Sequence, residues 1–169
     1  MAQADPAACF GFITFPGDPR VTAVFRERLS TAFAALGLDA ERHCRFLPQM
    51  RTERFLGVTQ LADLFLDSLG WSGCTTLEAL SQDIPVVTTP GPLMRGRHSA
   101  AILTGLGLTE LIAPTPEAFV ALAANLGRDP LRRQALRVQI ALTKHRLFGD
   151  RAAIDGLEQY LTEAAHGRF

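Results

Sequence analysis

The sequence predicts an α/β fold, a Rossmann-like parallel sheet followed by a helical C-terminal tail. Two observations predict the alternation and a third locates its centre. Apolar runs of strand length alternate with helical stripes as far as position 113. Beyond it, helical patterns succeed one another with no strand between them. In the middle lies Trp71 to Thr89, WSGCTTLEALSQDIPVVTT, which reads as a strand-exit loop, a helix start and the next buried strand. With the apolar run Leu61 to Asp67 before it, this makes a βαβ unit. One domain is expected over 1–169, its sheet part at about 9–113 and its helical tail at about 115–165.

Each element has its own reason. Cys9 to Phe15 is aromatic and β-branched, as strands are, and Pro16-Gly17 ends it. Asp18 suits an N-cap and Pro19 the first helical position. Val21, Val24, Phe25, Leu29, Ala32, Phe33 and Leu36 then keep a helical stripe that Gly37 closes. Cys44 to Leu47 is a short strand stopped by Pro48, and Arg51 to Leu56 a short helix within a loop. Thr75 reads as the N-cap of the central helix, and Ile84 to Thr89 as the following strand. Pro90-Gly91-Pro92 breaks the chain before a basic loop, Met94 to His98. A helix from Ser99 to Leu106 ends at Gly107, and Glu110 to Ala113 is a last short strand. Thr115-Pro116-Glu117 opens a helix to Leu126, Asp129-Pro130 the next to about Arg146, and a final helix covers about 150–165.

Composition excludes some functions. Lys plus Arg and Asp plus Glu number 17 each, so the chain as a whole is not built for nucleic acid or an anionic membrane. Its three cysteines, Cys9, Cys44 and Cys74, have no metal-ligand spacing and suit a reducing compartment. Met1 to Ala8 does not resemble a secretory leader, and no apolar run nears the ~20 residues of a membrane span. A cytoplasmic protein without a metal is expected. Walker A, GxGxxG, HExxH and CxxC motifs are missing, which leaves nucleoside triphosphate hydrolysis and zinc chemistry unsupported.

The candidate site is the turn from Trp71 to Glu78. Unpaired first-turn N–H groups and the helix dipole favour an anion there, and small residues let a phosphate approach. In this reading Gly73, Thr75 and Thr76 meet the two phosphates of a nucleotide sugar, and Glu78 accepts from ribose hydroxyls. Thr75-x-x-Glu78 is equally a plain capping box. Arg95, Arg97 and His98 follow a strand's carboxyl end, where ligands of open α/β sheets bind, and guanidinium groups suit phosphate. The bland alternative is a solvated basic loop. Trp71 either stacks on a base or sugar or is buried, and Cys74 reads as a small loop residue. Asp63 reads as a cap and Asp67 as the end of a strand.

These residues carry a likeness. The block LADLFLDSLGWSGCTTLEAL, then PVVTTPG, then MRGRHSAAILTGLGLTELIA resembles the C-terminal catalytic lobe of the O-linked N-acetylglucosamine transferases, in particular the SPINDLY-like members usually fused to tetratricopeptide repeats. Arg45-Phe46-Leu47-Pro48 and Leu147-Phe148-Gly149 extend it. The resemblance implies one lobe of a GT-B glycosyltransferase that binds the UDP of UDP-GlcNAc without a metal. It implies Gly73, Thr75 and Thr76 at the phosphates, Glu78 at the ribose, Gln49 and Met50 framing the uracil, and Arg97 as the arginine before the next helix. Thr52 and Phe55 stand where the family has a lysine and a histidine, and Cys74 where Gly or His is usual. The family's diphosphate-neutralising lysine falls on no residue here, since Lys144 is the sole lysine. Its base candidates belong to the N-terminal lobe. No catalytic residue is therefore assigned, and the chain is expected to be half an enzyme, inactive alone, binding a nucleotide sugar. A protein acceptor would be met through an N-terminal lobe or repeats. The rival expectation is a non-catalytic nucleotide-sugar or protein-binding module of the same descent.

Overall fold

The computed structural model describes residues 1–149 and 151–167. Strand β1 (Phe10–Ile13) leads to helix α1 (Pro19–Ala34), capped as expected by Asp18, whose carboxylate accepts from the Arg20 N–H at 2.9 Å. A short helix that composition did not announce, α2 (Ala40–His43), is capped by Asp39 and runs straight into β2 (Cys44–Leu47). β1 and β2 pair in parallel, Phe10 opposite Cys44 and Ile13 opposite Leu47. Helix α3 (Thr52–Gln60) is longer than the short helix expected.

The central unit is β3 (Phe65–Leu66), α4 (Cys74–Ser81) and β4 (Val86–Val87), with β3 and β4 parallel. Both strands are shorter than the apolar runs that announced them. Upstream, α3 continues to Gln60, the Ala62 carbonyl accepts from Arg137 at 2.6 Å, and Asp63 pairs with Arg133 at 3.0 Å, so these residues do not enter a ladder. Asp63 is thus an ion-pair partner, while Asp67 does end its strand, as expected. Downstream, the expected strand over Glu110–Ala113 shrinks to a parallel bridge between Thr88 and Ile112, because Thr109–Leu111 winds into a 3₁₀ turn. Two ladder bonds survive there, Thr88 N–H to Leu111 O at 3.1 Å and Ala113 N–H to Thr88 O at 2.8 Å. The parallel strands thus form two separate pairs where one continuous sheet was expected.

Helix α5 (His98–Gly105) follows the basic loop and is closed by Gly107 at φ 73. The tail is α6 (Pro116–Arg128), α7 (Pro130–Thr143) and α8 (Ala152–Ala165). Thr115 caps α6 and Asp129 caps α7, each followed by proline at the first helical position. The expected start of the last helix, Asp150, lies outside the described residues.

The core lies between β4, α4, α5 and the first two tail helices. Leu80, Ile84, Val86, Val87, Leu103, Leu108, Leu111, Leu136 and Ile140 are all within about 1% of full burial. Each such side chain contributes roughly 1.5–3 kcal/mol by leaving water. The first strand pair has a smaller aromatic cluster instead, with Phe12 5.1 Å from Phe25 and 5.5 Å from Phe46 between ring centres. Lys144 ties the tail to the central unit: its ammonium donates to the Ser81 carbonyl at the end of α4 (2.7 Å) and pairs with Asp83 (2.8 Å).

A candidate anion cradle at the start of helix α4

The loop after β3 turns back through Trp71 and Ser72 and enters α4 at Gly73. This glycine, and not Thr75, is the N-cap. Its backbone, φ 137 and ψ −89, lies in a region L side chains rarely adopt, which explains a glycine here. With no side chain at the cap, the capping box expected of Thr75 and Glu78 does not form. The N–H groups of Thr76 and Leu77 both turn back to the Gly73 carbonyl, at 3.0 and 3.3 Å. Those of Gly73, Cys74 and Thr75 have no acceptor among the described residues. Cys74 and Thr75 are exposed and Gly73 is half-buried, so three donors without a protein partner stand at the positive end of a helix. No acidic residue occupies that first turn.

A second loop, between β4 and α5, is fastened against the first. Ser72 N–H donates to the Arg95 carbonyl at 2.8 Å, and the Ser72 hydroxyl accepts from Ser99 N–H at 3.2 Å. Gly70, Gly91 and Gly96 touch backbone to backbone: a Cβ on Gly96 would stand 3.2 Å from the Cα atoms of both other glycines. His98 lies over Gly73, its Cβ 3.5 Å from where a Cβ of Gly73 would be. The Arg95 guanidinium sits 5.8 Å from the Trp71 ring centre, and Trp71 is 71% exposed. At the strand ends beneath, the buried Asp67 carboxylate accepts from Thr88 Oγ1 at 2.7 Å and from Ser68 N–H at 2.9 Å.

The two stretches singled out in the sequence therefore meet, but their residues divide into separate jobs. Gly73, Cys74 and Thr75 present open donors. Thr76 is fully buried and its hydroxyl bonds the Ser99 hydroxyl at 2.6 Å, so the side chain faces the core and away from solvent. Arg97 is exposed but clamps its own loop, donating to the Gly91 carbonyl (2.9 Å) and the Pro92 carbonyl (2.8 Å). Glu78 is half-buried one turn beyond Cys74, on the same face of α4. Gln49 and Met50 follow β2, exposed and half-buried respectively. Two surface hollows of about 480 and 510 Å³ lie elsewhere, one beside Gln82, Asp83 and Arg137, the other along Val21, Val24 and Phe25. The cradle is an open ledge. Sequence reading missed Ser72, Ser99 and the glycine contacts. Gly91 was visible in a chain break and Gly96 in the basic loop, but only tertiary contact joins them to Gly70.

The sequence profile of Glycosyl transferase family 41 matches residues 18–155. The chain belongs to glycosyltransferase family 41. The family region thus contains both loops of the cradle and reaches into α8. A probable UDP-N-acetylglucosamine–peptide N-acetylglucosaminyltransferase SPINDLY from Oryza sativa subsp. japonica is 30% identical over 117 residues, 68% of this chain and 12% of that protein. The UDP-N-acetylglucosamine–peptide N-acetylglucosaminyltransferase of Caenorhabditis elegans is 33% identical over 60% of this chain and 9% of its own length. A solved mutant of the O-GlcNAc transferase of Thermobaculum terrenum superposes with a TM-score of 0.79 at 32% identity, covering 95% of this chain and 31% of that one. The chain thus spans a small part of its family 41 relatives. The expected fold class, parallel α/β with a helical tail in the glycosyltransferase manner, stands on that superposition. Among the described residues no helix is long and apolar enough to cross a membrane.

Proposed function

We propose that this chain is the nucleotide-sugar-binding lobe of a family 41 transferase, taking UDP or UDP-GlcNAc with its diphosphate on the N–H groups of Gly73, Cys74 and Thr75. One observation carries the reading: the start of α4 has neither a side-chain cap nor a first-turn acid, and three of its N–H groups have no acceptor among the described residues, as a helix start that takes an anion requires. Arg95 and Arg97 belong to the loop fastened against this turn and bring positive charge for an anionic ligand, while His98 packs over Gly73. Arg97 would reach a phosphate by letting go of one loop carbonyl. In this reading Glu78, one turn along α4 from Cys74, takes the ribose, and Gln49 and Met50 frame the uracil, roles that the family resemblance implies. The relatives are named for N-acetylglucosamine as the sugar and a peptide as the acceptor, and the proposal takes both from them. In this reading the lobe steadies the departing UDP through fixed dipoles and arginines, without a metal, and supplies no general base. Alone it binds UDP weakly and transfers nothing.

The test is calorimetric titration of the chain with UDP and with uridine. UDP is expected to bind at least about tenfold tighter, a difference of ~1.4 kcal/mol from the diphosphate. Equal affinities would overturn the reading, and so would turnover of UDP-GlcNAc onto a peptide overturn the inactivity. Thr75→Asp sharpens the test. A carboxylate in the first turn suits the helix dipole, by about 0.3–1 kcal/mol, yet occupies the donors and repels a diphosphate. Unchanged or raised thermal stability with loss of UDP binding is expected.

A further inference from the structure

We infer that Ser99, helped by Ser72, is a positioning residue that holds the start of α4 in its open, donor-presenting shape. The inference rests on the nucleotide-binding reading above and adds to it a residue to which that reading gives no role. Ser99 and Thr76 are both fully buried, and their hydroxyls meet at 2.6 Å. One belongs to the first turn of α5, the other to the first turn of α4. The same Ser99 gives its backbone N–H to the Ser72 hydroxyl at 3.2 Å, while Ser72 N–H is held by the Arg95 carbonyl at 2.8 Å. Ser99 thus grips α4 from both sides of its cap: Thr76 three residues after Gly73 and Ser72 one residue before.

Gly73 between them is the weak point of the frame. It has no side chain to fix it, and a glycine backbone is free to take many other geometries, so its surroundings must hold it in this one. A hydroxyl pair inside an apolar core is justified energetically only when both members are satisfied, and it then fixes distance and angle more sharply than apolar packing does. The bond constrains the register of α5 against α4, and the direction of the three open N–H groups depends on that register. Ser99 touches no ligand in this arrangement; it acts through Thr76 and Ser72.

The test compares Ser99→Ala with the unaltered chain, reading UDP and uridine affinity by ligand-observed NMR and folding by thermal unfolding. Removing the hydroxyl is expected to weaken UDP by about tenfold and leave uridine unchanged, because only the diphosphate senses the cradle. A purely structural role would lower the melting temperature while leaving the UDP-to-uridine ratio as it was, and that result would overturn the inference. Ser72→Ala, at a half-buried position, serves if Ser99→Ala does not fold. It is expected to lower the same ratio by a few-fold, and an unchanged ratio again overturns the inference. Should the unaltered chain itself fail to prefer UDP, the nucleotide-binding reading falls, and the positioning role falls with it.

Discussion

Gly73 concentrates much of the site in one residue. Its φ of 137 suits glycine, and a Cβ there would meet His98 only at 3.5 Å, an ordinary contact. Gly73→Ala therefore isolates backbone strain from crowding. It is expected to cost on the order of 1–3 kcal/mol in urea unfolding and to weaken UDP binding, since the N–H groups turn with the cap. Cys44 gives a second prediction. Burial, reinforced by the nearby Cys9, pushes its thiol up from the ordinary range, against a smaller opposing pull from Arg45. A raised folded-state value means that folding favours the protonated thiol. Its contribution to stability is thus complete below the ordinary thiol pKa and is lost as pH climbs through the folded value. Unfolding titrations from neutral to strongly alkaline pH should show that loss, and Cys44→Ala should lack it. What the sequence could not disclose at this scale was which Thr faced out. Thr75 and Thr76 are adjacent and chemically alike, and only the position of α5 turns Thr76 toward Ser99.

Among the elements, helices capped by Asp or Thr with proline next were readable almost to the residue: α1, α6 and α7 begin where their side chains say. Strands were not. The apolar run over Ile84–Thr89 marks burial and only part of a ladder, while that over Leu61–Asp67 marks neither throughout, since Leu61 is 86% exposed and Ala62, Asp63 and the Thr109–Leu111 turn find other partners. The start of α4 misled for a related reason. Thr75 and Glu78 fit a capping pattern, but a glycine two residues earlier already ends the loop. Helix α8 carries the prediction at this scale. No residue of it is buried, and Ile154, Leu157 and Leu161 stand half exposed or more, although its apolar stripe was legible. A 14-residue helix without burial is marginal. Amide exchange should therefore be fast along α8 and slowest in α4 and α7, whose buried faces open only with global unfolding. Protection of α8 equal to that of α7 would contradict this.

For the whole molecule, the core sits off-centre. Its buried side chains belong almost entirely to 79–140, so the first strand pair and α1 lean on an aromatic cluster of their own. The family likeness was legible because its signal is a linear block of loops and helix starts, and the candidate cradle is built from that block. The Thr76–Ser99 and Ser72–Ser99 bonds span 23 and 27 positions, and like the approach of Gly70 to Gly91 and Gly96 they leave no local trace.

The mutual touching of Gly70, Gly91 and Gly96 has a consequence for the chemistry of this ledge. Where backbones come this near, a methyl group at position 96 finds only main chain to push against, and main chain yields less readily than the tip of a side chain. The arginine-bearing bend can therefore rest on the turn into α4 only while glycine keeps that space empty.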